Sequence, residues 1–254
     1  MSELKHHYGN QFHLIDDPFS QSLLTQLCLP ETKQPHIHRM VEKLYTNLIM
    51  SACTQLFPRL TTVNKTRMNA ELSSEILDPS TKAITVNLAR AGTYPSHVCY
   101  DFLHWFLKPD HIRQDHIFAA RKTNEANKVT GTDLGSFKIG GEITDSYVIF
   151  PDPMGATGGT INSAIEYYQN EIQGPVKQYI ALHLIVTPEY LKKVLSVNNN
   201  IQIFALRVDR GMSASHVLNS PLGLYWDQEK GLNDKQYIIP GAGGLGELLN
   251  NSYV

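Results

Sequence analysis

Residues 147–168 read YVIFPDPMGATGGTINSAIEYY. An apolar run of the kind that makes a strand buried on both faces ends at Pro151. An acidic residue follows, then a turn dense in Gly and Thr, then a segment with helical spacing. Strand, turn and helix in that order form half of a βαβ unit, and the same alternation recurs along the chain. Short runs rich in β-branched and aromatic residues at 83–92 (AITVNLARAG), 116–121 (HIFAAR), 146–152 (SYVIFPD), 178–186 (QYIALHLIV) and 201–208 (IQIFALRV) predict buried strands. Helical segments are predicted between them at 95–107, 159–171 and 188–196. The fold class expected is therefore α/β, a mostly parallel sheet flanked by helices.

Upstream of residue 83 the pattern differs. From His36 to Phe57, apolar residues recur at Ile37, Met40, Val41, Leu44, Leu48, Ala52 and Leu56, the spacing of one helix face. A second, shorter helix is predicted over 65–77. The chain shows no internal repeat and no linker-like tract, so one domain over 1–254 is expected, with a helical N-terminal part (1–80) and an α/β core (83–254). The polar insert 124–144, within a flexible stretch near 122–145, reads either as a mobile hairpin or flap or as an ordinary exposed loop.

The 254 residues, 42% hydrophobic and 18% charged, are enough to bury a substantial core. With 22 Lys+Arg against 24 Asp+Glu the formal charge is −2, which argues against a protein that coats nucleic acid or anionic membrane. Any anionic ligand has to be held by local geometry. Cys28, Cys53 and Cys99 are too few and too scattered for a disulfide framework or a CxxC metal site, and they read as buried small hydrophobes in a reducing compartment. The first residues are polar, and no apolar run approaches the roughly 20 residues of a spanning helix, so a soluble, cytoplasmic protein is expected.

In a parallel sheet, ligands collect beyond the carboxyl ends of strands, where helix N-termini point. The loop 155–160 lies at such a place and offers successive backbone N–H groups to an anion. Gly155, Gly158 and Gly159 let the backbone come close, and the hydroxyls of Thr157 and Thr160 can donate to phosphate oxygens. Asp152, just before the loop, is suited to accept hydrogen bonds from sugar hydroxyls. Together these parts describe a site for a ribose 5-phosphate, with a purely structural turn as the alternative. The GxxxxGK[ST] order and the GxGxxG spacing are both absent, which sets aside P-loop and dinucleotide readings.

At these residues the sequence resembles the uracil phosphoribosyltransferase family, of the type I phosphoribosyltransferase fold. DPMGATGGT, residues 152–160, is similar to the family's loop for phosphoribosyl pyrophosphate (PRPP). NLARAG resembles the strand ending in Arg-Ala-Gly, AARKTNEA the Arg-bearing flexible segment, and GLNDKQYIIPGAGGLGE the C-terminal base-binding segment. The resemblance covers nearly the whole chain, with extra length near 211–231 and at the N-terminus. It implies PRPP binding by Arg90, Arg121, Asp152, Pro153, Met154, Gly155, Ala156, Thr157, Gly158, Gly159 and Thr160. It further implies base binding by the main chain of Ile238, Gly243, Gly244 and Leu245. The activity implied is pyrimidine salvage, uracil and PRPP giving UMP and pyrophosphate, with Mg2+ carried by PRPP and no protein metal cage. A homo-oligomer, dimer or tetramer, is expected, and nucleic acid and membrane are not expected partners.

One departure stands out. The family's C-terminal segment reads close to Tyr-Ile-x-Pro-Gly-Leu-Gly-Asp-Ala-Gly-Asp, whereas here Gly244 occupies the place of the first Asp and Leu245 that of the Ala. The missing carboxylate leaves three readings open: an enzyme with weakened uracil transfer, a transferase for another nucleobase, or a PRPP- or nucleotide-binding regulatory protein on the same fold. An RNA-binding relative is disfavoured, since no stripe dense in Lys and Arg is visible. If the carboxylate limits an otherwise intact site, Gly244→Asp is expected to strengthen uracil transfer, unless position 244 needs a positive φ.

Overall fold

The computed structural model describes residues 2–123 and 129–252, without the side chains of 119–134. The chain begins with β1 (Ser2–Glu3) and β2 (Phe12–Asp16), then α1 (Pro18–Leu27) and α2 (His36–Leu56). A hairpin follows, β3 (Arg59–Lys65) and β4 (Glu71–Leu77), before β5 (Lys82–Ala89) and α3 (Thr93–Leu103). Next come β6 (Ile112–Thr123), β7 (Val129–Lys138), β8 (Ser146–Pro151), β9 (Met154–Gly155) and α4 (Gly159–Glu171). The chain closes with β10 (Gln178–Val186), α5 (Pro188–Val197), β11 (Ile201–Val208), α6 (Ser215–Leu218) and α7 (Leu245–Asn250).

The main sheet runs β1-β2-β11-β10-β8-β5-β6-β7, with the two-residue β9 paired to β10. The inner pairings are parallel, and only the edges β1 and β7 run antiparallel. β8 is buried along its whole length and β10 everywhere but its first residue, which explains why both read as continuous apolar runs. Alternate residues feed two cores. Ile180, Leu182 and Leu184 of β10 pack with α1, α2, α3 and α7 on one face, while Tyr179 and Ala181 pack with α4 and α5 on the other.

Local signals account for the helix starts. Asp17 caps α1 by accepting from the N–H groups of Phe19 and Ser20, with Pro18 at the first helical position. Thr187 does the same for α5 through Tyr190 N, with Pro188 behind it. In α2 the buried face is Ile37, Met40, Val41, Leu44, Leu48 and Ala52, as its spacing predicts, while Leu56 is only partly buried.

Two expectations are corrected. Residues 65–77 form no helix: they hold the turn and second strand of the β3–β4 hairpin, paired from Arg59↔Leu77 to Lys65↔Glu71. Leu72 and Ile76, four apart, suit a helix face, but they equally fall on one side of a strand. The turn at Thr66, closed by Asn69 N–H donating to Thr66 O with Asn69 at φ +59°, settles it as a hairpin. Nor is the 1–80 part purely helical, because β2 enters the main sheet beside β11 in parallel register.

Smaller differences are at ends. β5 stops at Ala89, short of the predicted 83–92, leaving Arg90 in the turn, and α3 spans Thr93–Leu103, with the buried Leu107 beyond it. The 124–144 insert contains β7, which returns antiparallel along β6. The tip of this hairpin, 124–128, lies outside the described residues. The extra length at 211–231 is tied in by a buried ion pair, Arg210 Nη1 to Glu229 Oε1 at 2.5 Å, and by Tyr8 Oη donating to Glu229 Oε2. Cys53 and Cys99 are buried and Cys28 is half-buried beside Arg207. Among the described residues no helix is long and apolar enough to cross a membrane.

Candidate active site

The carboxyl ends of β5, β8 and β10 open into a cleft of about 760 Å³. One wall is the turn of Arg90 and Ala91. A second runs from Asp152 through Met154 and Ala156 to Thr160 and Ile161. A third is the C-terminal segment, with Gln236, Tyr237, Ile238 and 243–247. The structure thus gathers Arg90, Asp152 and the 154–160 loop with Ile238, Gly243, Gly244 and Leu245, residues far apart in sequence. Pro153 backs this wall: its carbonyl accepts from the N–H groups of Leu184 and Ile185, docking the loop on β10. Arg121 is in β6 opposite Thr132, but its side chain lies outside the described residues.

The loop is built to present backbone. α4 begins at Gly159 with Gly158 as its N-cap at φ +74° and no side chain capping it. The first-turn N–H groups therefore lack intrahelical partners and are available, with the positive end of the helix dipole, to an anion. A Cβ on Gly158 would lie 2.8 Å from Val194 Cγ2, and one on Gly155 2.8 Å from Val186 Cγ1. Thr187 clamps the loop from beneath, its Oγ1 donating to Ala156 O at 2.6 Å and its N–H to Gly155 O at 3.0 Å.

The C-terminal segment is held just as firmly by groups that sequence reasoning passed over. Arg207 pairs with Asp209 at 2.6 and 2.9 Å. The pair grips both backbone groups of Gly241: Gly241 N–H donates to Asp209 Oδ2 at 2.7 Å and Arg207 Nη2 donates to Gly241 O at 3.1 Å. Glu189 accepts from the N–H groups of Gly231 and Leu232, and Ile239 N–H donates to Gly231 O. Glu247, also unforeseen, reaches back from α7 to Arg90 at 2.8 Å. The signal for the Arg207–Asp209 pair was present as two opposite charges two apart at a strand end, on one side of the strand.

His183 lies beneath Asp152, wholly buried in β10. Its Nδ1–H donates to Asp152 O at 2.5 Å, so Nε2 accepts from Tyr190 Oη, also at 2.5 Å. Burial pushes its pKa down to about 4, opposed by the bond to the Asp152 carbonyl. The imidazole is neutral at pH 7 and fixes the main chain that carries Asp152.

Because the folded pKa is below the unfolded value, the unfolded chain takes up this proton first as the pH falls. Stability is fully present above about pH 6.5 and declines toward pH 4, by on the order of 3 kcal/mol from this group. Denaturant titrations at pH 7 and 4.5 are expected to show a smaller loss for His183→Gln than for the parent. Equal losses would contradict the assignment.

The sequence profile described as "Uracil phosphoribosyltransferase" matches residues 14–227. A curated uracil phosphoribosyltransferase of Pyrobaculum islandicum is 27% identical over 234 residues, covering 92% of this chain and 96% of that protein. One from Mycoplasma genitalium is 28% identical over 211 residues, covering 83% and 85%. The solved structure of the AQ2163 protein from Aquifex aeolicus superposes with a TM-score of 0.73 at 19% identity, over 96% of this chain and 99% of that one, a likeness of fold.

Proposed function

Since this chain belongs to the uracil phosphoribosyltransferase family, we propose that it joins uracil to PRPP, forming UMP and releasing pyrophosphate. One observation carries the reading. The uncapped start of α4, the Arg90 turn and the Gly-rich 243–246 segment line a single cleft, giving a phosphate cradle, a cation and a backbone-lined base wall.

In this reading the 5-phosphate rests on the N–H groups of 157–160, since Ala156 N–H already donates to Met154 O at 3.0 Å, and the Asp152 carboxylate accepts from the ribose hydroxyls. A uracil ring nitrogen bonds to C1 as the C1–O bond breaks, and pyrophosphate leaves with the electron pair. The base proton passes to solvent or to pyrophosphate. Such a displacement asks for positioning and for stabilisation of the charge on the leaving group, not for a covalent nucleophile. Arg90 supplies a guanidinium fork for that charge. Arg121 stays in the reading on the family resemblance. Ile238, Gly243, Gly244 and Leu245 meet the base edge through main-chain groups, and the Arg207–Asp209 grip on Gly241 keeps that segment in register.

Magnesium belongs to the proposal as an ion brought in on PRPP oxygens, where it would neutralise charge on the leaving pyrophosphate. The donor set suits that role. Among the described residues no three His, Cys, Asp or Glu gather into a metal cage, and the cleft offers the two separate carboxylates of Asp152 and Glu247. A homo-oligomer is supported by an apolar groove between the β3–β4 hairpin and α3, lined by Met50, Ile76, Phe102 and Trp105, the last 85% exposed.

The test is a panel of nucleobases with PRPP and magnesium, scored for pyrophosphate release, with uracil expected to react fastest. Failure of every base to release pyrophosphate, from protein that binds PRPP, would favour the regulatory reading. Arg90→Ala is expected to lower kcat/KM for PRPP by about tenfold to a hundredfold, nearer the lower figure because the side chain is 46% exposed. Unchanged kinetics would remove Arg90 from the site.

A further inference from the structure

Tyr190 is buried in the first turn of α5, yet it borders the cleft together with His183. Its N–H donates to Thr187 Oγ1 at 3.0 Å, the same hydroxyl that clamps Ala156 O. The ring lies directly against the phosphate loop. A Cβ on Gly155 would be 3.2 Å from both Cδ1 and Cδ2 of Tyr190, and one on Gly158 3.6 Å from Cδ2. At the other end of the ring, Oη donates to His183 Nε2 at 2.5 Å, the two rings meeting edge-on with centroids 4.7 Å apart. His183 Nδ1–H in turn donates to Asp152 O, and Asp152 N–H donates to Leu182 O at 3.0 Å. Both main-chain groups of Asp152 are therefore held by successive residues of β10. With its backbone fixed in this way, the Asp152 carboxylate keeps only its own rotamers.

We propose that Tyr190 and His183 are positioning residues that couple the two halves of the ligand site: the Tyr190 ring shapes the 5-phosphate loop, while the Tyr190 hydroxyl, through His183, aims Asp152 at the ribose hydroxyls. The inference rests on the transferase reading above for the places of phosphate and ribose. It adds that one buried side chain serves both. Neither residue needs to touch the ligand, because each acts through the main chain it holds. The bonds run one way: a neutral imidazole that donates from Nδ1 accepts at Nε2, so Tyr190 is the donor at the head of the chain. Taking out either member strands a buried polar group on the other, and the Asp152 end feels the loss.

Two ligands separate the parts. UMP and 2′,3′-dideoxyuridine 5′-monophosphate carry the same phosphate and base, and only UMP offers Asp152 its hydroxyl donors. The parent is expected to bind UMP about tenfold or more tighter than the dideoxy analogue, as measured by calorimetry at pH 7 on material checked by thermal melting. Tyr190→Phe keeps the ring, so it is expected to weaken UMP by about fivefold or more and the analogue by less than about twofold. Tyr190→Leu removes the ring as well and is expected to weaken both ligands by about tenfold or more, since the loop loses its floor. His183→Leu should reproduce the selective loss seen in Tyr190→Phe. The double His183→Leu/Tyr190→Phe should add nothing to it, because the hydroxyl then has no imidazole to hold. A residue of merely structural importance would move both ligands alike.

The proposal is overturned if Tyr190→Phe weakens both ligands equally or neither, or if the double variant loses the sum of the two single losses. Should Tyr190→Leu fail to fold, Tyr190→Phe and His183→Leu still decide the coupling; a folded Tyr190→Leu that spares the analogue would remove the ring from the phosphate loop. A parent that binds UMP no better than the analogue, or binds neither, also overturns it, since Asp152 then reads no hydroxyl. Failure of the transferase reading shows itself separately, as no pyrophosphate release with any base, and the comparison of the two ligands still decides the part played by Tyr190 and His183.

Discussion

A folded Gly158→Val protein is expected to bind PRPP at least about a hundredfold more weakly than its parent. Two effects act on one residue. Gly158 has φ +74°, where a β-branched side chain is strained, and its Cβ would lie 2.8 Å from Val194 Cγ2 on α5. The strain and overpacking together should cost about 2–4 kcal/mol of stability. The loop can relieve them only by moving away from α5, which turns the first N–H groups of α4 off the anion. Gly158→Ala keeps the strain and the first contact but adds no further methyls, so it should fall between the two. Calorimetry on material checked by thermal melting decides the matter. Parent-like affinity in a folded Gly158→Val protein would move the 5-phosphate elsewhere.

Much of this geometry was legible because the strands that carry it are buried on both faces. Residues 178–186 and 201–208 hold so many apolar side chains in succession that β10 and β11 match their predicted limits, and the Gly-Thr turn announces α4 at Gly159. The hairpin β3–β4 was not legible, since both its sides are largely exposed and no apolar period distinguishes strand from helix. β2 is only five residues long, and its place beside β11 is set by a contact almost 200 residues away in the chain.

At the site, the cradle could be read from local order, but the groups that hold it could not. Asp209 and Gly241 are 32 residues apart, and nothing in LRVDR says which backbone it will grip. His183 showed itself as one titratable residue inside an apolar strand, a signal that a buried polar group needs partners. Glu247 was the nearest miss: in YIIPGAGGLGE it stands where the family segment has its second Asp, so a carboxylate on this wall was in view.

The other large effect is expected far from the ligand, at Asp115. This carboxylate is fully buried on β6 and accepts four hydrogen bonds: Arg113 Nε at 2.9 Å, Arg113 Nη2 at 3.1 Å, Tyr168 Oη at 2.8 Å and Gly140 N–H at 2.9 Å. It therefore ties β6 to the body of α4 and to the segment leaving β7, where Arg113 also donates to Gly141 O and Glu142 O. Asp115→Ala leaves a cation, a buried hydroxyl and a backbone N–H without their acceptor, a loss of about 3–5 kcal/mol. For a domain of this size that corresponds to a fall in Tm of roughly 6–20 °C. Tyr168→Phe removes one partner and keeps the rest, so it should cost only about 1 kcal/mol. The double variant should then cost less than the two losses added, because Tyr168 Oη has no carboxylate to lose once Asp115 is gone. PRPP affinity, measured below the melting range, should fall far less than in Gly158→Val, since Tyr168 lies in the C-terminal half of α4, away from the cradle at Gly159. A drop in Tm below about 2 °C for Asp115→Ala would show that water replaces the carboxylate without loss and that this network does not hold the fold.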